Sequence, residues 1–342
     1  MNLLSPLALA FGLGVLAKVI RSELALPKDL YVSISIYLLF AIGIKGGVEL
    51  SESTFSTLAW PAAATLILGC ITPITSYLAL RKLGNFSVSD SAGIAAHYGS
   101  VSAVTFIAAQ QFVTALGSPA EGFMPTLLTL LESPGIHIAL AMGAVLTANR
   151  AVVVPTAGGG AMIAGGGPEF TAPSEIGGRP TLEVLHEVLT GRSMVLLVGG
   201  LLMGCVMGAR GYEPVKPFFE GGFKGALTLL LLELGLVAGE RIGDLRKVGP
   251  FLLLFGICMP IAHGALGVLL GHWAGLSVGG CTVLGTMAAS ASYIAAPPAV
   301  RMTLPEANPT LYLTSSLVIT FPFNLLVGIP LYYKMARLAA GA

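Results

Sequence analysis

Long apolar runs separated by short polar segments fill most of the chain. Each run approaches the roughly 20 residues that an α-helix needs to cross the hydrocarbon core of a bilayer. Ten runs can be counted, five in each half of the sequence. The pattern predicts an all-α integral membrane protein with ten transmembrane helices. The runs cover residues 4–20, 30–48, 58–80, 92–113, 124–148, 194–208, 225–239, 251–272, 278–300 and 311–334.

Composition agrees with a membrane protein. Hydrophobic residues make up 55% of the 342 positions and charged residues only 10%. The net charge of +1 gives no support to nucleic-acid binding. The 44 glycines and 21 prolines favour closely packed helices with local breaks. The four cysteines lie in apolar runs without CxxC spacing, so neither a disulfide framework nor a metal site is expected.

The two halves of the chain match each other at positions whose order and spacing agree. The offsets between matched positions range only from 187 to 192 residues. Because each half holds an odd number of runs, the second half must cross the bilayer in the opposite direction, as in inverted-repeat transporters. We therefore expect a first five-helix repeat (1–148), a linker (149–192) and an inverted second repeat (193–342). The matches are 38–43 with 230–235, Pro73 with Pro260, Ser87 with Ser277, Ser100 and Ser102 with Ser290 and Ser292, and Pro134 with Pro322.

The segment 149–192 is rich in glycine, which favours a flexible linker. It has no Gly-Lys-Ser/Thr ending, so a phosphate-binding loop is not indicated. Leu182, Leu185 and Leu189 recur at helical spacing and predict one short amphipathic helix. Twelve Lys and Arg residues fall on the linker's side of the ten spans and six on the other. The bias predicts a plasma (inner) membrane protein with a cytoplasmic linker and both termini outside.

Each half carries a Ser-x-Ser in the middle of an apolar run. Residues i and i+2 of a continuous helix point about 200° apart, so both serines of a pair can serve one site only where the helix is interrupted. The alternative is that each serine packs against a neighbouring helix or bonds back to a carbonyl one turn earlier. Duplication at matched positions favours a site. We expect Ser100, Ser102, Ser290 and Ser292 to face one another across a single cavity near the bilayer midplane.

An interrupted helix offers two kinds of polar group. Free N–H groups at a half-helix start attract an anion, while unwound carbonyls and hydroxyls coordinate Na⁺. No Arg or Lys lies near the serine pairs at membrane depth, so a large, multiply charged substrate would find no counter-charge. A small monoanion is expected instead.

Other polar residues at membrane depth are candidates for ion binding. Glu132 precedes Pro134, where the helical hydrogen bonding opens, so its carboxylate could hold Na⁺ or carry a proton. Thr320 and Asn324 flank Pro322 in the matching position and could serve without charge; for all three the alternative is structural hydrogen bonding. The predicted Na⁺ ligands are Ser102, Thr105, Glu132, Ser290, Thr320 and Asn324, and no other metal is expected.

These segments resemble the sodium-dependent bicarbonate symporters best known from cyanobacteria. The resemblance is carried by 97–106 (HYGSVSAVTF), 132–134 (ESP) and 289–297 (ASASYIAAP) and covers nearly the whole chain. It implies two inverted repeats, a core and a gate domain, a homotrimer, and bicarbonate with Na⁺ between the serine-bearing spans. Substrate-binding positions carried over in this way are Gly99, Ser100, Val101, Ser102, Ser290, Ala291 and Ser292, with Thr105 nearby.

The resemblance leaves one partner open. The cyanobacterial members bind a PII-like regulator and have a more charged central loop, whereas the loop of this chain is glycine-rich. The leading hypothesis is Na⁺-coupled bicarbonate symport by alternating access. The second is a Na⁺- or proton-coupled transporter of another small monoanion. The third, an intramembrane serine hydrolase using Ser100 or Ser102 with His97 or His137, is disfavoured because the duplicated serine lacks a duplicated histidine, so no enzymatic activity is expected.

Overall fold

The structure is a computed structural model that describes residues 6–53, 55–132, 134–148, 190, 192–293 and 296–341. Within these ranges every regular element is helical. Seven helical stretches are long and apolar enough to cross a membrane. One of them, Pro217–Trp273, contains two of the predicted runs, and two shorter apolar helices, Pro6–Val19 and Val278–Ala288, account for parts of two others. The chain is therefore an all-helical, multi-pass membrane protein, and the count of ten spans stays a prediction.

The described part of the first half forms seven helices. The run 92–113 is divided into two of them, because the chain leaves helical geometry at Ser100, whereas the helices Met124–Glu132 and Pro134–Ala148 are separated by position 133, which lies outside the described residues. The helices are α1 (Pro6–Val19), α2 (Lys28–Glu52), α3 (Phe55–Lys82), α4 (Val88–Gly99), α5 (Ala103–Ala115), α6 (Met124–Glu132) and α7 (Pro134–Ala148).

The second half forms six further helices and a π-helical turn, Pro217–Gly221. Its last helix contains two π-helical segments, Thr314–Thr320 and Asn324–Gly328, on either side of Pro322. Pro322 cannot donate a backbone hydrogen bond, and wider turns accommodate such a gap. The helices are α8 (Arg192–Tyr212), α9 (Phe223–Arg241), α10 (Leu245–Trp273), α11 (Val278–Ala288), α12 (Ala296–Thr303) and α13 (Pro309–Ala339).

The predicted linker falls almost entirely outside the described residues. Of 149–192 the structure describes only Thr190 and Arg192, and the amphipathic helix expected over 182–189 lies outside the described part as well.

Helices from the two halves pack on each other through glycines. Helix α1 packs on α9, and α2 packs on α8. A Cβ added at Gly14 would lie 2.7 Å from the Leu236 nitrogen, and one added at Gly47 would lie 2.8 Å from the Cys205 nitrogen. Only glycine permits such backbone contact between helices, which is how membrane helices approach closely. These four helices form one layer of the protein.

The remaining helices form a second group that contains both serine pairs. Helix α3 packs on α4 and α4 on α7, while α10 packs on α11 and α11 on α13. The Thr75 hydroxyl of α3 lies 2.8 Å from Nε2 of His263 in α10. Ser87 and Ser277, matched in the sequence, cap α4 and α11 by accepting hydrogen bonds from Asp90 N and Gly280 N, both at 3.0 Å. The matched serines therefore begin matched helices.

Candidate functional site

Both Ser-x-Ser segments interrupt helices. Helix α4 ends at Gly99, Ser100 has extended backbone angles (φ −109°, ψ 151°), and Ser102 caps the start of α5. In the second half α11 ends at Ala288, and the chain is not helical from Ser290 to Tyr293. The interruption predicted from the i, i+2 spacing is confirmed at both pairs.

The two interruptions satisfy each other's backbone groups. The Ser102 N–H donates to the Ser290 hydroxyl at 2.9 Å, and the Ser292 N–H donates to the His97 carbonyl at 2.8 Å. An N–H group released from a helix at membrane depth has no water to bond, so it needs a protein partner. The breaks therefore stabilise each other, and neither could form in this way in one repeat alone.

One serine of each pair is used to build the interruption. The Ser100 hydroxyl donates to the Glu132 carbonyl at 3.2 Å, and the Ser290 hydroxyl donates to the Met287 carbonyl at 2.8 Å. Both serines are almost fully buried. Neither lines the cavity between the breaks. We expected all four hydroxyls to face one cavity. Those of Ser100 and Ser290 do not, because they are bonded to backbone carbonyls near the breaks.

The other serine of each pair lines a common cavity. Ser102 Oγ accepts a hydrogen bond from Thr105 N at 3.3 Å and donates to the Tyr293 hydroxyl at 3.3 Å. Ser292 Oγ accepts from Ala296 N at 3.4 Å, near the start of α12. Ser102 and Ser292, at matched positions in the sequence, thus lie in the wall of the same cavity.

The cavity between the two interruptions is small and mixed in chemistry. Its volume is about 30 Å³, which holds one or two water-sized groups. Its polar lining comes from Ser35, Ser102, Glu132, Ser292 and Tyr293. The apolar walls come from three helices and the segment before α5. They are Leu38, Leu39 and Ile42 of α2, Leu230 of α9, Val101 before α5, and Ala103, Val104 and Ile107 of α5. The cavity therefore lies at the boundary between the two helix groups.

Ser35 is the lining residue that sequence reasoning did not single out. It lies on α2, and its hydroxyl donates to the Tyr31 carbonyl one turn earlier at 2.8 Å. A lone serine in an amphipathic turn carries no repeat signal. Ser35 lies three, four and seven residues before Leu38, Leu39 and Ile42. This helical spacing is the sequence signal that places it on the same face of α2 as those residues.

Several predicted site residues lie beside the cavity and hold the breaks in place. A Cβ on Gly99 would lie 2.7 Å from Pro73 Cβ and 3.0 Å from Gly135 Cα, so Gly99 provides the close crossing of α4 and α7. Ala291 packs in the apolar cluster that includes Tyr98 and Ala299. Thr105 is buried in the first turn of α5, where its N–H meets the Ser102 cap.

Thr320 and Asn324 also lie outside the cavity lining. The Thr320 hydroxyl donates to the Gly256 carbonyl at 2.7 Å and lies 2.6 Å from the Tyr98 hydroxyl. Asn324 Nδ2 donates to the Ala289 carbonyl at 2.8 Å, and its Oδ1 accepts from the Tyr332 hydroxyl at 3.0 Å. Asn324 thus bonds a carbonyl released at the end of α11. A role for either residue in binding Na⁺ stays a prediction.

The donor set of the cavity suits Na⁺ better than a transition metal. In the described ranges no group of three or more His, Cys, Asp or Glu side chains is arranged to hold a metal ion. The cavity offers hydroxyl oxygens and one carboxylate, that of Glu132, which is 6% exposed. Oxygen ligands of this kind, together with carbonyls of an unwound helix, are used for Na⁺ in membrane transporters.

The histidines proposed for hydrolysis are engaged elsewhere. His97 is fully buried, its Nδ1 lies 2.7 Å from the Gly93 carbonyl, and its ring stacks on Tyr312 at 4.5 Å between centroids. Neither His97 nor His137 lines the cavity. Neither histidine is therefore placed beside Ser102 to act as the base that the hydrolase hypothesis requires.

Comparison with known proteins gives one match. A family described as the Na⁺-dependent bicarbonate transporter superfamily matches residues 6–337, which is nearly the whole chain. A search of curated proteins finds no match.

Proposed function

The chain belongs to the Na⁺-dependent bicarbonate transporter superfamily, and we propose that it carries bicarbonate across the membrane by symport with Na⁺ and alternating access. The family is one of transporters, so the protein is not an enzyme. The observation that carries the proposal is the pair of mutually bonded helix interruptions around one cavity, with a serine from each repeat in its wall.

The anion is held at the start of α5. There Thr105 N bonds to the Ser102 hydroxyl and Phe106 N bonds to the Ser102 carbonyl. The amides of Ala103 and Val104, whose residues both line the cavity, are the remaining donors of the first turn. A helix N-terminus combines such amides with a partial positive charge, which stabilises a small monoanion without a Lys or Arg once movement of the helix groups widens the cavity beyond its volume of about 30 Å³.

Na⁺ is held on the side of the cavity that carries oxygen ligands. The Glu132 carboxylate and the Ser102 and Ser292 hydroxyls are the nearest candidates. A bound cation would neutralise the buried carboxylate and favour an anion beside it, which is the coupling that symport requires. Ser290, Thr105, Thr320 and Asn324 then act by fixing the backbone of the two interruptions.

We propose that ten spans are arranged in two inverted repeats, the architecture on which alternating access is commonly built. Helix contacts in the first half have counterparts in the second. The contact of α3 with α4 corresponds to that of α10 with α11, α4 with α7 to α11 with α13, and α5 with α11 to α12 with α4. Because the cavity lies between the α1, α2, α8, α9 layer and the serine-bearing helices, displacement of one group past the other would open it first to one side and then to the other. The homotrimer, the inner-membrane location and the external termini belong to this proposal.

Uptake of labelled bicarbonate into proteoliposomes, at alkaline pH where CO₂ is scarce, tests the proposal. A Na⁺ gradient should drive accumulation. Ser102→Ala and Ser292→Ala should each lower uptake at least tenfold, because each removes a cavity hydroxyl that accepts a backbone N–H, and Ser102→Ala also removes the cap of α5. Thr228→Ala is the matched control, since its hydroxyl bonds only one turn back on an exposed face. Full uptake by both cavity variants would refute the site.

A proton-coupled transporter of another monoanion is the second candidate, and the buried Glu132 carboxylate in the cavity wall is the observation that favours it. Replacing the Na⁺ gradient with a pH gradient in the same vesicles separates the two. Uptake driven by the pH gradient and lost in Glu132→Gln would favour protons over Na⁺. Competition by a panel of monoanions tests bicarbonate as substrate.

A further inference from the structure

A second and larger cavity lies where α2, α5 and α8 end. Its volume is about 480 Å³. Unlike the serine cavity, it carries several charged and amide side chains. Those used below are Lys45 of α2, Gln111 and Thr114 of α5, Tyr212 of α8, and Glu220 of the π-helical turn.

The two cavities follow one another along the same groove between α2 and α5. Ile42 lines both of them. On α2 the shared face continues from Ile42 to Lys45, three residues on, and on α5 it continues from Ile107 in the small cavity to Gln111 in the large one. Residues three and four apart lie on one face of a helix. A solute in the large cavity is therefore separated from Ser102 by the apolar turn of Ile42 and Ile107.

The polar groups of the large cavity suit an anion. The Lys45 ammonium lies 3.6 Å from Glu220 Oε1, and both side chains are about half exposed (52% and 39%). A partly solvated pair at this distance is weak and can be displaced. Tyr212 is only 5% exposed, and its hydroxyl has no hydrogen-bond partner among the described residues. Because the hydroxyl oxygen is itself buried, it can donate to a solute in the cavity only after its ring turns toward that space.

A cation is the alternative occupant. Glu49, Glu121 and Glu220 all contribute to the wall. However, they are not arranged as a metal-binding group in the described structure. Glu121 Oε1 already accepts a hydrogen bond from Ser277 N at 2.6 Å, and Glu220 lies beside Lys45. Glu49 and Glu220 both lie near Lys45, so in the described structure these carboxylates have a cation of the chain beside them, and the Lys45 ammonium is the donor that an anion in this space would meet.

We propose that the large cavity is a second anion-binding site, an antechamber in which the transported monoanion contacts the Lys45 ammonium and the Tyr212 hydroxyl before passing Ile42 to the serine cavity. The proposal rests on the transport function proposed above. Glu220 competes with the anion for Lys45, so it keeps the site from binding the anion too tightly to release it.

Transport kinetics test the role of Lys45. Lys45→Gln should raise the bicarbonate concentration for half-maximal uptake at least about threefold, the size expected for a partly exposed charge contact. The maximal rate and the Na⁺ concentration for half-maximal uptake should stay unchanged. Lys45→Arg should restore the affinity, and Glu220→Gln should lower the half-maximal concentration. Equal bicarbonate affinity in Lys45→Gln and the unchanged protein would overturn the proposal.

Thiol labelling tests occupancy without transport. In purified protein whose four native cysteines are replaced by alanine, Thr114→Cys should react with a negatively charged methanethiosulfonate reagent. Bicarbonate at pH 8 should slow the reaction in proportion to its occupancy, and Lys45→Gln should remove the protection. Leu83→Cys, at the opposite end of the bundle and 72% exposed, is the matched control and should show no protection.

The two assays separate failure of this site from failure of the proposed function. If Na⁺-driven bicarbonate uptake is present but no monoanion protects Thr114→Cys, the antechamber is wrong and the transport function stands. If bicarbonate is not transported but nitrate or formate protects Thr114→Cys through Lys45, the antechamber stands and the proposed substrate is wrong.

Discussion

The crossing of α4 and α7 offers a sharp test of how the first interruption is held. A Cβ added to Gly135 would lie 2.6 Å from Gly99 Cα, and the Gly99 carbonyl would be closer still. Ordinary contact begins at 3.4 Å, and because the Gly99 carbonyl is nearer than the Cα at 2.6 Å, the helices would have to separate by more than the difference between these two distances. Both groups belong to the backbone, and no side-chain rotation relieves the clash. Gly135→Ala therefore forces α7 away from the last residue of α4.

The cost can be set against the gain in helix propensity. Overpacking of this kind costs about 1–3 kcal/mol, and a backbone clash belongs near the upper end. Replacing glycine by alanine in a helix returns up to ~1 kcal/mol. The net destabilisation is then about 2 kcal/mol, or roughly a 30-fold change in the unfolding equilibrium. Because Gly99 adjoins the interruption at Ser100, we expect uptake to fall together with stability.

The assay compares Gly135→Ala with two other glycine variants. Thermal unfolding of purified protein in detergent and Na⁺-driven uptake are measured for each. Gly199→Ala meets no atom within 4 Å, so it should match or slightly exceed the starting stability. Gly69→Ala meets Leu131 Cδ1 at 3.4 Å, an ordinary contact, and should be close to neutral. If Gly135→Ala proves as stable and active as Gly199→Ala, the close crossing of α4 and α7 is wrong.

Three further changes separate positioning from binding. Ser100→Ala removes one hydrogen bond to the Glu132 carbonyl, so it should lower stability by about 0.5–1.5 kcal/mol. In the same vesicles it should reduce uptake much less than Ser102→Ala does. Asn324→Leu leaves the Ala289 carbonyl without its donor, so thermal unfolding should show stability lowered by about 1–3 kcal/mol. Asn324→Gln, which keeps an amide donor, should be destabilised less. Tyr98→Phe should lower stability by less than Asn324→Leu and leave the Na⁺ dependence of uptake unchanged, because the Thr320 hydroxyl keeps its bond to a backbone carbonyl; a changed Na⁺ dependence would instead indicate that Thr320 binds the ion.

Local rules were enough to predict where the helices break. The serine spacing is incompatible with one shared site on a continuous helix, and the structure leaves helical geometry at Ser100 and after Ala288. The match of Ser87 with Ser277 likewise predicted two serines in equivalent structural positions. Each caps a helix by accepting a hydrogen bond from the backbone N–H three residues later. Signals of this kind depend on a few neighbouring residues, so a sequence contains them in full.

Which serine of each pair lines the cavity could not be predicted in the same way. Whether Ser100 or Ser102 faces the cavity depends on which carbonyls are left unbonded by α6, and Ser100 finds the Glu132 carbonyl 32 residues away. The part played by α2 was hidden for a related reason, since Ser35 and Ile42 meet Ser102 only after the two helix groups pack. Such contacts are set by the tertiary arrangement, which apolar periodicity does not encode.

The two interruptions are matched in sequence but differ in what they offer to ions. Helix α5 starts directly after its serine pair, so the Ser102 cap and the amides that follow lie at the cavity. In the second interruption the chain is not helical from Ser290 to Tyr293, and the Ser292 N–H is already bonded to the His97 carbonyl. A helix N-terminus favours an anion, whereas an unwound segment presents carbonyls and hydroxyls that favour a cation. Under the proposed symport, the first interruption would supply the anion side of the site and the second would contribute to the cation side. A two-fold arrangement with equal halves would instead offer two equivalent anion sites facing each other, and their like charges would disfavour double occupancy.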